Sequence, residues 1–455
     1  MPGTFSSFQT AVSAMRYNRV AMDVASGNIA NAGTDGYVRR QVVGQATGAP
    51  SVPAIWSRWD GAGDGVEPST VMRLSDALLD ARSRSENAAS SYLDTRQTSL
   101  VRFETALAEP GDGGVAAALT NFQQAWHDVA NNPGDPAAGT QLLARAATLR
   151  DTIATQAAAV ANEWSDQRVR LDALGTQVNE AAAQLADLNK GLRAANLSGT
   201  DAGTLLDQRD QLTLTLAKLT GATVTVNDDT TVDVKVAGQA LVTGNTAGTV
   251  SVTGSTTLAG AGSSPVGFSV NDTAVTLSAG AVGGTQQLLG SDLPGYLGQL
   301  DSFVATMATA VNTQHQAGVT SAGVPGGAFF TGTTALTLQV AVTGPAQLAG
   351  ADATKGGYDN GNATKLASLD IGGDSYRNLV TRFGVQVSSA KVLANNQAVL
   401  TAQVDASREA VSGISIDEEM VNLLAAQRGF EGASRVLTTI DSVLDTLINR
   451  TGLTH

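Results

Sequence analysis

The side chains able to do chemistry are few and scattered. Three histidines, His127, His315 and His455, lie far apart, and none belongs to an H-x-x-x-H pair. That spacing reads as isolated surface or helix-face residues rather than a metal site. No cysteine occurs, which removes thiol nucleophiles, zinc–thiolate sites and disulfide scaffolds together. Two carboxylate clusters remain for acid–base work. Asp207 and Asp210 lie in LLDQRDQL, and Asp417, Glu418 and Glu419 lie in SIDEEM. The first pair reads as a solvated or domain-joining helix face. The second reads as the acidic start of a helix, with Ser415 and Glu418 at capping-box spacing. No G-x-S-x-G, P-loop or Cys/His constellation appears. The expectation is a protein that is not an enzyme and has no cofactor, metal or catalytic residues.

Bulk properties narrow the class further. A chain of 455 residues holds roughly two to four domains at about 100–200 residues each. Charged residues make up 15% and aromatics 4%, both low, since globular chains carry about 25% charged residues. The net charge of −13 argues against a nucleic-acid binder, which shows a basic face. It also gives no attraction to anionic membranes. No apolar run reaches the ~18 residues that would suggest a membrane span. The start, MPGTFSSFQTAVSAMRYNRVAM, lacks a basic region followed by a continuous apolar core, so no cleaved secretory signal is expected there.

The elements that would position any site are arranged symmetrically: helix, then strand, then helix. Phe5, Phe8, Val12, Met15, Met22 and Ile29 follow helical spacing. The segment NIANAGTDGY at 28 to 37 then ends the helix, with Gly33 and Gly36 suited to positive φ and Asn31 and Asp35 to turns. Residues 71 to 107 and 114 to 130 read as helices, the latter stopped by NNPGDP. From Ile153 to Leu192 a 4–3 pattern runs through Val160, Trp164, Leu171, Val178 and Leu185, with Gln167 as its polar member; a 3.5-residue average keeps one seam facing a partner. Leu205, Leu212 and Leu219 close this half at Gly221, a residue suited to a helix end. ATVTVNDDTTVDVKV reads as a β-hairpin opening a β-domain, to which LTLQVAV at 336 to 342 could belong, while 349 to 362 reads as loop. Helices resume at 294 to 316 and 375 to 411. In the last helix Ile416, Leu423, Phe430, Leu437 and Leu444 repeat every seven residues, beside a parallel row of Ala426, Ala433, Ile440 and Leu447. An isolated helix of this length is marginal in water, so its stripe must be covered, by the N-terminal helix, by other copies, or by the chain's own helical body.

The fold class expected is therefore multidomain α+β: a terminal α-helical coiled-coil domain (1–45 with 412–455), a long-helix bundle (46–220 with 290–411), and an inserted mostly-β domain (221–289). ASGNIANAGTDGYVRRQ at 25 to 41 and DEEMVNLLAAQRGFEGASRVLTTIDSVLDTLINR at 417 to 450 resemble the terminal motifs of bacterial flagellar axial proteins of the rod, hook and hook-associated group. GDGVEPSTVMRLSDALLDAR, LLDQRDQL and GSDLPGYLGQLDSFVATMATAVNTQHQAG, in order between them, narrow the resemblance to the hook–filament junction. The match is collinear, and weakest at 225 to 290 and 319 to 365.

The resemblance implies a structural, self-assembling protein of the flagellum. Its partners would be other copies, the hook protein, a second junction protein and an export chaperone on the C-terminal helix, with export outside the cell by the flagellar type III route. The assembly interface would be Phe5, Phe8, Val12, Met15, Met22, Ile29, Ile416, Met420, Leu423, Phe430, Leu437 and Leu444. The family turn would be Asn28, Asn31, Gly36 and Tyr37. Gly429 and Gly432 depart from the pattern, and each costs about 1 kcal/mol against Ala in a helix interior; either they permit close helix approach or the terminal helix is weaker here. A secreted coiled-coil adhesin or effector, or another axial subunit, is the alternative.

Overall fold

A computed structural model of the chain describes residues 4–47 and 65–449, with side chains described for 7–47 and 65–446. Phe5 and Leu447 of the terminal stripes therefore fall outside the described side chains, and His455 outside the described residues. The chain begins with α1 (Thr4–Ala30), turns, and enters an antiparallel pair, β1 (Arg40–Thr47) and β2 (Gly65–Arg73). The reading of residue 71 onward as helix is corrected here, because 71–73 finish β2. A register shift between Val43 and Gly44 lets Pro68 sit opposite Gly44, and such an irregularity tolerates a residue with no N–H to donate.

Asp76 then caps α2 (Ala77–Ala106), accepting from the N–H groups of Leu78 and Leu79. After α3 (Val115–Asn131), the NNPGDP stop becomes a start: Asp135 accepts from Ala137 N–H and Pro136 occupies the first turn of α4 (Pro136–Ser198). At 63 residues α4 is about 95 Å long at 1.5 Å per residue, half as long again as its heptad stripe. That stripe is buried from Ile153 to Leu192 apart from a half-buried Leu188. It faces several elements in succession rather than one partner helix. Gln167 is accommodated by donating to Glu163, which also takes Ser99 and Arg102 at 2.5 to 2.7 Å. Burial alone would raise the Glu163 pKa, but these bonds outweigh it and lower it.

Past α5 (Gly203–Thr220) and a left-handed Gly221, two small sheets follow. One orders β3 (Thr223–Val226), β4 (Val232–Val236), β5 (Gln239–Thr243) and β6 (Thr246–Ala247); the other orders β7 (Val250–Thr253), β8 (Gly267–Val270) and β9 (Thr273–Val275), with a short α6 (Leu258–Ala261) before β8. Val232, Val234 and Val236 alternate into the core, as period-2 patterning requires. Helix α7 (Gly280–Gln287) then runs through one π turn into α8 (Leu293–Gln316).

LTLQVAV does not join the β-domain. After β10 (Gly318–Val319), only Gln339–Val340 forms strand β12, paired with β11 (Phe330–Thr331). Asn312 of α8 holds this segment in place: its amide accepts from the N–H groups of Phe329 and Phe330 and donates to the Phe330 carbonyl. The stretch read as loop at 349 to 362 contains β13 (Ala351–Asp352), which pairs with β10, and the start of α9 (Gly361–Ala367). The chain closes with α10 (Gly373–Ser412) and α11 (Ile416–Asn449).

One continuous apolar core joins α2 through α5, the two β-sheets, and α7 through α10. His127 is exposed, but His315 is not a surface residue: it is wholly buried among Trp126 and Phe329. Its Nδ1 lies 2.8 Å from the Gly327 carbonyl, and its Nε2 accepts from Ala349 N–H at 3.0 Å. That geometry needs the neutral ring with Nδ1 protonated, and burial lowers its pKa accordingly.

Candidate assembly elbow

Helices α1 and α11 pack together more extensively than any other two elements. Their shared seam is built from small residues: Ala11 and Ala25 on one side, and Ala426 and Ala433 with Ile440 on the other, all buried. The row that ran beside the heptad stripe thus carries the intramolecular contact. The stripe flanks it: Val12, Met15, Met22, Ile29, Leu423, Phe430, Leu437 and Leu444 are half-buried, while Phe8, Ile416 and Met420 are exposed. Gly429 explains the close approach, since a Cβ there would stand 2.5 Å from Asn18 Oδ1. Gly432 faces open space and has no such reason.

The opening turn joins this pair to the body. Asn31 ends α1, its side chain donating to the Gly27 carbonyl at 2.9 Å. Gly36 then adopts φ of 80° and would bring a Cβ to 3.2 Å from the Gln211 amide; Gly33 has no positive φ, so only one of the two expected glycines serves that purpose. The chain returns past Asn28, which is fully buried. Asn28 Nδ2 donates to the Arg40 carbonyl at 2.8 Å and to Glu419 Oε2 at 2.9 Å. Its Oδ1 accepts from the Arg40 N–H and from the Tyr37 hydroxyl, at 3.1 and 3.0 Å. Both donors and both acceptor sites of the amide are used.

Glu419, also buried, receives Arg39 Nε at 2.8 Å, and the neighbouring Glu418 takes Arg39 Nη1 at 3.0 Å. Glu418 accordingly turns toward Arg39, while its own N–H meets Ser415 Oγ at 3.4 Å. The backbone of Arg39 bridges both covalent crossings: its N–H donates to the Ser412 carbonyl at the end of α10, and its carbonyl accepts from Leu74 N–H.

The body side of the elbow is ionic. Arg73 approaches Asp207 at 2.7 Å and Asp210 at 2.9 Å, Arg40 reaches Asp207 at 3.1 Å, and Arg209 pairs with Asp210 at 2.7 Å. Burial works against the Arg73 charge, but Asp210 and Asp207 outweigh it and leave its pKa raised. Burial also raises the Tyr37 pKa, with Arg40, 5.0 Å over the ring, pulling the other way and Asp207 and Glu419 adding to it. Every carboxylate here is committed to a guanidinium, so the cluster orients elements rather than poising an acid or base. Among the described residues no three His, Asp or Glu side chains converge as a metal site, and no helix is long and apolar enough to cross a membrane.

Of the four family-turn residues, Asn28 and Tyr37 meet directly, and Asn31 and Gly36 shape the loop that lets them. Asp207 and Asp210 are not solvated: they pair with Arg40 and Arg73 of the β1–β2 hairpin and with Arg209. Arg39, Arg40, Arg73 and the role of Glu419 were not singled out from the sequence. The available signal was the Arg-Arg pair directly after the turn in a chain so poor in charge.

Comparison with known proteins places this architecture. Models described as a flagella basal body rod protein and a flagellar basal body rod FlgEFG protein C-terminal region match residues 8–37 and 408–450, the two members of the terminal pair. The chain is a flagellar axial protein, a structural part of the flagellum that assembles with other axial proteins. Between those ends, the model of the flagellar hook-associated protein FlgK helical domain matches residues 100–330, half of the chain. The chain belongs to the flagellar hook-associated protein FlgK family.

Flagellar hook-associated protein 1 of Bacillus subtilis is 29% identical, with 100% of this chain and 99% of the relative covered. The Escherichia coli protein of the same name is 24% identical over 98% of this chain and 99% of its own length. The flagellar hook junction protein FlgK from Burkholderia pseudomallei has the same fold, with a TM-score of 0.66 at 16% identity, covering 73% of this chain and all of that structure.

Proposed function

We propose that the chain forms the layer joining hook to filament, with α1 and α11 as its inner assembly domain and the elbow setting the angle between that domain and the outward body. The observation that carries this reading is the incomplete cover of the terminal pair. Two helices bury an alanine seam against each other and leave the heptad residues Leu423, Phe430 and Leu437 half-buried, with Ile416 and Met420 open to solvent. Such a stripe is completed by neighbours. The assembly residues proposed are those of the two stripes, Phe8 to Ile29 and Ile416 to Leu444, with Asn28, Asn31, Gly36 and Tyr37 as the turn that aims them.

The inner domain takes in the β1–β2 hairpin, which packs on α1 and straddles the boundary expected at residue 45. The bundle and the inserted β-domain at 221–289 stand outside it. Partners under this reading are other copies, the hook protein, a second junction protein and an export chaperone that shields α11 before assembly. No catalysis is assigned, and export follows the flagellar type III route under this reading.

The test is deletion of the coding sequence, followed by electron microscopy and assay of the medium for flagellin. Finished hooks without filaments, with flagellin shed, are the expected result. Absent hooks would move the protein to the rod or hook, and normal filaments would overturn the proposal in favour of an adhesin.

A further inference from the structure

The apolar core of the body ends at Leu100 on α2 and Ala390 on α10. Beyond that level the two helices continue side by side toward the elbow, but the polarity of the pair is inverted. Its inner seam is mostly polar, with Ala88 and Val404 as its buried apolar members. Asp405 accepts from Ser83 at 2.6 Å and from Asn87 at 3.2 Å; Gln397 donates to Glu86 at 2.6 Å; Arg408 reaches Asp80 at 2.6 Å. The outer face of α10 is apolar. Val385, Val392 and Val399, spaced by seven, are each more than half exposed, and Leu393 and Leu400 beside them are about half exposed. A helix pair that buries these hydrogen bonds and shows Val385, Val392 and Val399 to water is largely inside-out for an isolated molecule in solution.

We infer that this outer face of α10 is a second subunit seam, packing against another copy of this chain in the assembled flagellum. The inference rests on the assembly reading above, and three observations select a second copy as the occupant. First, the row leads along the chain into the proposed inner assembly surface: Val411 near the end of α10 is exposed, and after a short link α11 opens with exposed Ile416 and Met420. Second, its seven-residue repeat matches that of α11 and suits helix-against-helix packing; it carries no aromatic anchor of the kind that dominates interfaces with unrelated partners. Third, each copy has a net charge of −13, yet from Val385 to Val404 the only charged residue is Lys391. Like-charged copies approach most readily along an uncharged strip.

Absence of cysteine and a solvent-facing Val399 make the test direct. Val399 is replaced by the photo-crosslinker p-benzoylphenylalanine in the full chain, flagella are isolated, irradiated, and the adducts sequenced by mass spectrometry. The expected result is an adduct of twice the chain's mass, in which the captured peptide comes from the chain itself. An adduct with a different protein, or none although the chain is present in the flagella, would overturn the seam alone. Absence of the chain from flagella that still assemble would overturn the assembly reading and the seam with it. As a second measurement, the double variant Val392→Asp with Val399→Asp keeps the hydrogen-exchange protection of the α4 core, because these side chains touch solvent, and loses at least ten-fold in incorporation. Val169→Asp, equally exposed on α4, keeps its incorporation. Equal incorporation of both variants would refute the seam.

Discussion

Replacing Asn28 with aspartate changes one atom of the elbow and keeps its shape. The two acceptor contacts survive, but the Nδ2 donor becomes an oxygen facing the Arg40 carbonyl, 2.8 Å away, and Glu419 Oε2, 2.9 Å away. One buried and one part-buried hydrogen bond are lost, and a buried acceptor left without its donor costs about 1–3 kcal/mol. The substitution therefore weakens docking of the terminal pair by roughly 2–6 kcal/mol before carboxylate repulsion is added. A multidomain chain has no single unfolding free energy, so the assay is local: hydrogen–deuterium exchange read separately for α1, α11 and α4. At the lower end, ~2 kcal/mol, exchange in the two terminal helices rises about 30-fold, while the α4 core keeps its protection. The facing Glu419 raises the pKa of the introduced carboxyl above the unfolded value of about 3.9. The defect is then full above that raised pKa and shrinks as the pH falls through it, because the protonated carboxyl regains a donor. Unchanged exchange in α1 and α11 at pH 7, or an equal rise in α4, would refute the elbow as the latch.

Two further outcomes separate causes the sequence could not. Gly429→Val forces a branched side chain against Asn18, where even a Cβ stands 2.5 Å from Oδ1, and overpacking of this kind costs about 1–3 kcal/mol; Gly432→Ala meets nothing within 4 Å and gains ~1 kcal/mol of helix propensity, so exchange in α11 speeds in the first variant and slows in the second. Burial holds the His315 pKa below its usual value, so its neutral-state stability is complete above pH ~6.5 and declines as the pH falls from there through the lowered pKa; exchange at residues 315 to 349 increases over that window, and His315→Gln removes the dependence.

The parts of this fold legible in the sequence are those written in periodicity. The α4 seam and the β3–β4 hairpin repeat a pattern long enough to fix the element and its buried face; the terminal stripe fixes the helix, while the buried contact falls on the row beside it. What could not be read depends on contacts far apart in the chain. Residues 71–73 look helical until β1 supplies a partner strand and a register shift makes room for Pro68. LTLQVAV alternates well enough for a sheet, but Asn312 binds its neighbours to α8 instead. The elbow was half visible: Asn28 and Gly36 announce a turn, yet nothing local says that Glu419, nearly four hundred residues later, completes it. Asp417, Glu418 and Glu419 looked alike as cap residues; only the fold separates Glu419, buried against Asn28, from its neighbours.

The choice of ionic over apolar contacts at the elbow follows from what the joint must do. Buried ion pairs add little net stability over well-packed hydrophobic residues of similar volume, so Arg73, Asp207, Arg39 and Glu419 do not earn their place by strength. They differ from leucines in being directional. Arg73 brings both Nε and Nη2 to one oxygen, Asp207 Oδ1, at 3.0 and 2.7 Å, while Nη2 also reaches Asp210 Oδ2 at 2.9 Å, and a planar guanidinium held on two carboxylates by charge-assisted hydrogen bonds is fixed in orientation as well as distance. An apolar joint of the same size permits sliding and re-packing. Small angular errors at a joint grow along a body whose longest helix runs 63 residues. Under the proposed assembly, in which α1 and α11 meet one set of neighbours and the α10 face another, those surfaces need a fixed angle, and an elbow whose Asp207, Asp210, Glu418 and Glu419 carboxylates are each paired with a guanidinium would supply it.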